Sequence, residues 1–179
     1  MVEQDKKRRL FFALWPPAQV RASIVKAADP LLRKIEGRTI CPDNFHITLH
    51  FIGSVSEDRK DCLHAAAQTV MAHPFELSLD RFGCFNKAKI FWMAAQQLPS
   101  ELSVLHQNLG KALSVCDFTA EQRPYSPHVS LLRKYKGRSI DHAEFSIRWH
   151  ADEFVMLESN AGTDAVHYKV IERYPLQKR

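Results

Sequence analysis

Residues 44–51 of the chain read Asn44-Phe45-His46-Ile47-Thr48-Leu49-His50-Phe51. Polar and apolar residues alternate from His46 onward, and alternate side chains of a β-strand point to opposite faces. The pattern therefore predicts a strand with two different faces. The packed face would carry Ile47, Leu49 and Phe51, and the other face would carry His46, Thr48 and His50. This second face presents an imidazole and a hydroxyl one pleat apart.

A second segment repeats the arrangement as Ser126-Pro127-His128-Val129-Ser130-Leu131. His128 and Ser130 share one predicted strand face, and Val129 and Leu131 share the other. A single histidine near a strand is more often a structural residue than a catalyst, and threonine and serine are common in strands. Two copies of the pattern are harder to attribute to chance, and they favour a functional pair.

The elements predicted before each motif come in the same order. In the first third of the chain, residues 9–14 predict a buried strand. A helix ending at Gly37 follows, with Pro30 expected to kink or split it and an apolar face of Val20, Ile24, Ala28, Leu31 and Ile35. In the middle, strands at residues 75–79 and 90–93 precede a helix with an apolar face of Leu102, Leu105, Leu109 and Leu113.

The repeated order predicts a diverged internal duplication, in which two equivalent strands lie side by side about a pseudo-two-fold axis. Another helix is predicted to begin at Ser56, and late strands are predicted at residues 144–150, 154–159 and 167–174. No segment has the composition of a linker between independent domains. The expected organisation is therefore a single α+β domain over residues 1–179.

The composition is that of an ordinary soluble globular protein, with 45% hydrophobic residues, 25% charged residues and a net charge of +5. The positive balance mildly favours a polyanionic partner. No apolar run approaches the ~20 residues that a membrane-spanning helix needs. We expect a cytoplasmic monomer with no membrane partner.

The four cysteines, Cys41, Cys62, Cys84 and Cys116, are widely and unevenly spaced. No Cys-x-x-Cys pair suggests a zinc knuckle or a thioredoxin-like site. We expect reduced and mostly buried thiols. His46 and His50 are four residues apart, as metal-ligating pairs on a helix are, but the alternation across them predicts a strand. The sequence therefore predicts no metal and no cofactor.

The paired motifs suit the hydrolysis of a cyclic phosphodiester. In-line attack of water on phosphorus needs a base on one side and an acid that protonates the departing oxygen on the other. Histidine, with an unperturbed pKa near ~6.5, can serve in either role at neutral pH. The hydroxyls of Thr48 and Ser130 can bind the non-bridging oxygens, whose charge grows in the transition state.

The two segments resemble the paired signatures of the two-histidine phosphoesterases, and in particular of the bacterial RNA 2′,3′-cyclic phosphodiesterases, historically called 2′-5′ RNA ligases. The resemblance extends over nearly the whole chain. The segments that carry it are residues 9–14, 43–49, 51–53 and 127–133. It implies a bilobal α+β fold with two antiparallel sheets lining a central cleft and outer helices. It also implies a metal-free site.

In this family the first histidine donates a proton and the second accepts one, which assigns these roles to His46 and His128. The implied reaction converts 2′,3′-cyclic phosphates at RNA 3′ ends into 2′-phosphates, with a weak reversible 2′-5′ RNA ligase activity. Arg133 matches an arginine that helps to bind phosphate. Ser130 replaces a commoner threonine but keeps the hydroxyl. Strict alternation would put Arg133 opposite His128, so it reaches the site only if the strand ends or twists near Leu132.

Other substrates and roles stay open at this point. The same groups could act on a small cyclic nucleotide, on an ADP-ribose cyclic phosphate or on 2′-5′ linkages, or the chain could be a non-catalytic RNA- or nucleotide-binding module. His50 is expected to be a neighbour of the site rather than a catalyst. Residues 133–138 form a basic cluster that could hold RNA. Aromatic residues that could stack on a terminal base are Phe91, Trp92 and Tyr125.

Overall fold

The computed structural model describes residues 7–137, 144–161 and 166–177, which form ten strands and three α-helices. The helices are α1 (Ala18–Leu32), α2 (Glu57–Gln68) and α3 (Ser100–Leu113). The strands up to the third helix are β1 (Arg8–Leu14), β2 (Arg38–Thr39), β3 (Ile47–Val55), β4 (Phe75–Leu79), β5 (Arg81–Phe85) and β6 (Ile90–Ala94). The later strands are β7 (Val129–Arg133), β8 (Ile147–Ala151), β9 (Glu153–Ala161) and β10 (Val166–Pro175).

The strands form two antiparallel sheets. The larger sheet has eight strands in the order β10-β9-β1-β3-β7-β6-β5, with the short β2 also paired to β7. The smaller sheet pairs β4 with β8. β3 and β7 meet through the pair Ile47 and Val129. This narrow junction divides the larger sheet into a first half-sheet (β10, β9, β1 and β3) and a second half-sheet (β7, β2, β6 and β5).

The two faces of the larger sheet differ. The main core packs alternate residues of β1, such as Phe12, against apolar faces of all three helices, including Ile24, Leu63 and Leu105. On the opposite face, a smaller apolar cluster consists of Phe11, Ala13, Val155 and Leu157. β1 is therefore buried on both sides, as its continuous apolar sequence predicts. No helix among the described residues is long and apolar enough to cross a membrane.

Most predicted elements are confirmed. α2 begins after Ser56, whose hydroxyl accepts a hydrogen bond from the Arg59 amide at 3.4 Å. Pro30 lies in the last turn of α1, and the helix ends at Leu32 rather than near Ile35. The strand β5 was not predicted, since Gly83 interrupts its pattern. A Cβ at Gly83 would lie 2.1 Å from the Trp92 ring, so a larger residue there would displace that indole.

The predicted strict alternation along residues 46–51 is wrong beyond Thr48. The pairing of β1 with β3 skips Leu49, because Phe12 lies opposite His50 while Ala13 lies opposite Thr48. Such a β-bulge inserts one residue and moves the following side chains to the other face. His50 is consequently buried, and Phe51 is 59% exposed.

The expectation of four reduced thiols is wrong for two of them. Cys62 in α2 and Cys116 in the turn after α3 form a disulfide, with Cα atoms 5.9 Å apart. The two residues are 54 positions apart in the sequence, and only the packing of α2 against this turn brings them together. Cys41 and Cys84 are free, and neither is fully buried.

Candidate active site

His46 directly precedes β3 and follows a short 3₁₀ turn at Pro42–Asn44. Its Nδ1 lies 2.7 Å from the Asn44 carbonyl oxygen. Because a carbonyl only accepts hydrogen bonds, Nδ1 carries the proton of the neutral ring and Nε2 is left as the basic nitrogen. The local backbone thus selects one tautomer and orients the imidazole.

His128 has the same local arrangement at the start of β7. Its Nδ1 lies 2.8 Å from the Ser126 carbonyl oxygen, which is again two residues earlier. The junction pair Ile47 and Val129 comes directly after the two histidines. Continuing the antiparallel register by one residue places Thr48 across from His128 and Ser130 across from His46. The four groups predicted from the sequence therefore come together at one point of the sheet.

Aromatic rings enclose His46. Its ring centroid lies 5.0 Å from that of Phe11 and 5.1 Å from that of Tyr168, and Trp15 stacks at 6.4 Å. Burial lowers the pKa of His46 to about 4, opposed in part by the hydrogen bond to Asn44. The charges of His128 and Arg133 lower it further. A protonated His128 and a protonated His46 therefore disfavour each other.

His128 lies against a different pair of aromatic residues. Phe85 contacts it edge-on at a centroid distance of 4.8 Å, and Trp92 lies at 6.3 Å. Burial is the largest cause that lowers the pKa of His128, and the charge of Arg123 adds to it. The hydrogen bond to the Ser126 carbonyl acts in the opposite direction. Both imidazoles are thus biased towards their neutral forms in the free protein.

A second β-bulge changes the face of β7 on which Arg133 lies. β6 pairs Trp92 with Ser130 and Phe91 with Leu132, so Leu131 is the inserted residue of β7. Leu131 and Leu132 are both buried, and Arg133 is exposed. The bulge returns the arginine to the face of Ser130, which strict alternation did not allow. The positive charge of Arg133 also lowers the pKa of His46.

The remaining sequence candidates have other positions. His50 is 6% exposed, and its Nε2 lies 2.9 Å from the His106 carbonyl oxygen, so it belongs to the core. Phe91 is also in the core. Tyr125 stacks on His106 at 3.8 Å, and its hydroxyl donates to the Thr48 carbonyl oxygen at 3.1 Å. Of the three aromatic candidates, only Trp92 lies beside a motif histidine.

Two features of the site were missed from the sequence. The buried Asn44 donates through Nδ2 to the Val166 carbonyl oxygen at 2.7 Å and accepts from the Tyr168 amide at 3.3 Å. This amide side chain attaches β10 to the residues that lead into His46. Its position two residues before a motif histidine was the available signal. Phe11 and Tyr168 gave no such signal, since they approach His46 only through sheet pairing.

Metal-ligating side chains do not gather anywhere in the described part of the chain. No group of three or more histidine, cysteine, aspartate or glutamate residues lies close enough there to hold an ion. The groups predicted for the site, carried by β3, β7 and the residues directly before them, are two imidazoles, two hydroxyls and one guanidinium. Such a set can move protons and bind a phosphate.

Residues 41–163, which include both histidine motifs, match the family model of the 2′-5′ RNA ligase superfamily. The chain belongs to the 2′-5′ RNA ligase superfamily. A superfamily relative from Escherichia coli K12, the RNA 2′,3′-cyclic phosphodiesterase, is 28% identical over 96% of this chain and 98% of its own length. An RNA 2′,3′-cyclic phosphodiesterase of Bacillus subtilis is 25% identical over 95% of this chain and 94% of its own length.

Solved structures of the superfamily share the fold over nearly the whole chain. Escherichia coli LigT complexed with 3′-AMP has a TM-score of 0.89 and 28% identity, and the match covers 97% of this chain and 100% of LigT. LigT complexed with phosphate has a TM-score of 0.86 and 26% identity, covering 97% of this chain and 99% of LigT. The predicted α+β fold and the resemblance to the two-histidine phosphoesterases are confirmed.

Proposed function

We propose that this protein is an RNA 2′,3′-cyclic phosphodiesterase that hydrolyses terminal 2′,3′-cyclic phosphates to 2′-phosphates. The observation that carries the proposal is the meeting of two histidines with the same tautomer at the Ile47–Val129 junction. The full-length similarity to the Escherichia coli enzyme supports the same activity. A weak reverse 2′-5′ ligase activity is part of the proposal, because the same groups would catalyse both directions.

The proposed reaction is an in-line displacement at phosphorus. Nε2 of His128 takes a proton from water as the water oxygen attacks the phosphorus. The bond from phosphorus to O3′ breaks, and the His46 imidazolium gives its Nε2 proton to O3′. The phosphate stays on O2′, and exchange with solvent restores both histidines. This assignment of His46 as donor and His128 as acceptor comes from the family resemblance.

The low pKa of His46 bears on its proposed role. At neutral pH the free imidazole is neutral, since its pKa is about 4. An anionic cyclic phosphate in the cleft would favour the imidazolium and raise that pKa. An imidazolium that is costly to hold in the free protein is also a strong acid towards a poor leaving group. Substrate binding would therefore favour protonation of His46, the proposed proton donor.

Thr48, Ser130 and Arg133 are proposed to bind the phosphate. The two hydroxyls are at the register positions beside the opposite histidine, and they can donate to non-bridging oxygens. The exposed guanidinium of Arg133 supplies two parallel donors and a fixed charge. This set would stabilise the transition state without a metal or a cofactor. We further propose that the chain acts as a single-domain cytoplasmic monomer.

A small-nucleotide substrate is the second candidate. Escherichia coli LigT has been crystallised with ATP and with NADP⁺ as well as with 3′-AMP, so that protein accepts free nucleotides. The corresponding substrate here would be a cyclic mononucleotide or an ADP-ribose cyclic phosphate. The presence of both histidines and both hydroxyls favours an enzyme over a non-catalytic binding module.

The decisive assay follows turnover of a cyclic mononucleotide and of an oligoribonucleotide with a 2′,3′-cyclic end, both in excess EDTA. We expect both to be opened, with phosphorus NMR showing a 2′-phosphate. Loss of activity in EDTA that one divalent ion restores would contradict the metal-free mechanism. Absence of turnover with every substrate in this panel would contradict the proposed function.

A further inference from the structure

Five exposed cations belong to neighbouring segments of the second half-sheet. We define the basic rim as Arg38, Lys87, Lys89, Arg133 and Lys134, all of which are exposed. Arg38 belongs to β2, Lys87 and Lys89 to the turn between β5 and β6, and Arg133 and Lys134 to the end of β7. The turn begins directly after Phe85, whose ring contacts His128. The rim is thus continuous with the candidate active site.

Strand pairing holds these cations next to one another. Arg133 pairs with Arg38 on one side and with Ile90 on the other. One residue further on, the Tyr135 amide donates to the Lys89 carbonyl oxygen at 3.0 Å, so Lys89 and Lys134 are neighbours across the ladder. Like charges placed opposite each other in a sheet destabilise it. The arrangement therefore costs stability unless an anion lies over it.

The backbone at the two lysines is also unfavourable. Lys89 has a φ of 53° and Lys134 a φ of 55°, in the left-handed region that favours glycine and asparagine. Residues other than glycine and asparagine have a steric clash in this region that raises their conformational energy. Lys89 and Lys134 are neighbours, and each adopts a backbone conformation that lysine disfavours. Such departures are typical of functional surfaces.

Two arginines of the first half-sheet have acidic partners. In the first half-sheet, Arg8 pairs with Glu57 at 3.0 Å, and Arg173 pairs with Glu153. Among residues 7–137, 144–161 and 166–177, no carboxylate lies at ion-pair distance from Lys87, Lys89, Arg133 or Lys134. Lys136, two residues after Lys134, forms an ion pair with Glu36 at 3.3 Å. Within the described part of the chain, the charges of these three lysines and of Arg133 are therefore not neutralised by an ion pair.

We propose that the basic rim binds the sugar–phosphate backbone of a single-stranded RNA whose 3′ end lies in the cleft. This inference rests on the proposed function and selects an RNA chain over a free nucleotide as the substrate. A mononucleotide would fill the space between the histidines and leave the three rim lysines uncovered. An RNA chain leaving the cleft would bring further phosphates over the lysines. Arg133 would join the two regions, since its charge also acts on His46.

The test compares two triple variants with the wild-type protein. The rim variant is Lys87→Gln/Lys89→Asn/Lys134→Asn, in which asparagine suits the left-handed backbone. Arg133 is left unchanged because it is proposed to bind the scissile phosphate. The matched control is Lys26→Gln/Lys34→Gln/Lys111→Gln, which removes the same charge from exposed positions in or just after α1 and α3. Circular dichroism checks that both variants fold.

Each protein is assayed with cytidine 2′,3′-cyclic phosphate and with a short oligoribonucleotide that has a cyclic phosphate end. We expect the rim variant to raise KM for the oligoribonucleotide roughly tenfold at low salt. Its slope of log KM against log salt should be smaller by about two, since single strands contribute ~0.7 for each phosphate contact. Turnover of the mononucleotide should match the wild type. The control variant should behave like the wild type with both substrates.

Three results would contradict the proposal that the basic rim binds RNA. The first is an unchanged KM for the oligoribonucleotide, and the second is an equal loss with both substrates. The third is loss of binding to anionic lipid vesicles while RNA binding persists, which would assign the lysines to a membrane surface. If the wild type hydrolyses neither substrate, the proposed function fails. Fluorescence anisotropy with a labelled single-stranded RNA then still decides whether the lysines bind RNA.

Discussion

Phe51 and Arg133 occupy equivalent positions in the two half-sheets. Each is the fifth residue after a motif histidine, each follows a β-bulge, and each is exposed beside two buried residues. The two half-sheets therefore share this backbone feature and differ in the side chain that it exposes. One half presents an aromatic ring, 5.9 Å from Phe11, and the other presents a cation. The charged contact to phosphate is accordingly expected from the second half-sheet only, through Arg133.

Arg133→Ala should raise KM for a cyclic phosphate by about tenfold or more, because a charge-assisted contact to phosphate contributes about 1.5–3 kcal/mol. Phe51→Ala serves as the matched change at the equivalent position. It should change neither KM for the cyclic phosphate nor the inhibition constant of inorganic phosphate by much. Steady-state kinetics at constant salt measure both. Equal effects of the two substitutions on phosphate inhibition would argue against a special role for Arg133.

His46→Ala and His128→Ala should each lower turnover of a cyclic phosphate by at least roughly a hundredfold, as loss of a general acid or base does. The two variants should differ with an activated nitrophenyl phosphodiester, whose leaving group needs no proton. On that substrate His46→Ala should recover much of its activity, and His128→Ala should not. Recovery by the His128 variant instead would reverse the assigned roles.

The pH dependence should separate the free protein from the complex. Burial lowers the pKa values of both histidines, so kcat/KM should be greatest below pH ~6.5, the ordinary histidine value. A bound phosphate anion favours the imidazolium, so the alkaline limb of kcat should lie at higher pH than that of kcat/KM. Rate profiles from pH ~4 to ~9 would check this order. Coinciding alkaline limbs would mean that substrate binding does not charge the acid.

Asn44→Ala should lower kcat and move the pKa of His46 upward. The substitution removes both hydrogen bonds that hold β10 near His46, so water can reach the imidazole and reduce the desolvation that depresses its pKa. NMR titration of the ring protons measures the shift directly. Asn108→Ala removes a similar hydrogen bond, from a side-chain amide to the Met71 carbonyl oxygen, and it should leave the titration of His46 unchanged. An unshifted titration in the Asn44 variant would limit this residue to a structural role.

Removal of the disulfide should destabilise the protein without affecting catalysis. A cross-link between residues 54 positions apart lowers the entropy of the unfolded chain, which stabilises the folded state by about 4 kcal/mol. Cys62→Ala/Cys116→Ala should lower the free energy of unfolding towards that extent, while Cys41→Ala should not. Urea denaturation with and without a reductant makes the comparison. A midpoint that is insensitive to reductant would show reduced thiols, as the sequence alone suggested.

The local patterns of the chain determined the α+β class, most of the elements and the two histidine motifs. These features depend on neighbours a few residues apart, such as the alternating polarity that begins at His46 and the helical spacing from Leu102 to Leu113. The tautomers of His46 and His128 are local too, since each ring bonds to a carbonyl two residues earlier.

Tertiary pairing decided everything that joins distant segments. The bulge at Leu49 sends His50 to the core and Phe51 to the surface, and the bulge at Leu131 returns Arg133 to the face of Ser130. Residue order cannot reveal such insertions, because a bulge is defined by the register with a partner strand. The disulfide, the aromatic wall around His46 and the adjacency of Lys89 and Lys134 arise for the same reason. Each requires two segments to pack together before the chemistry of either is apparent.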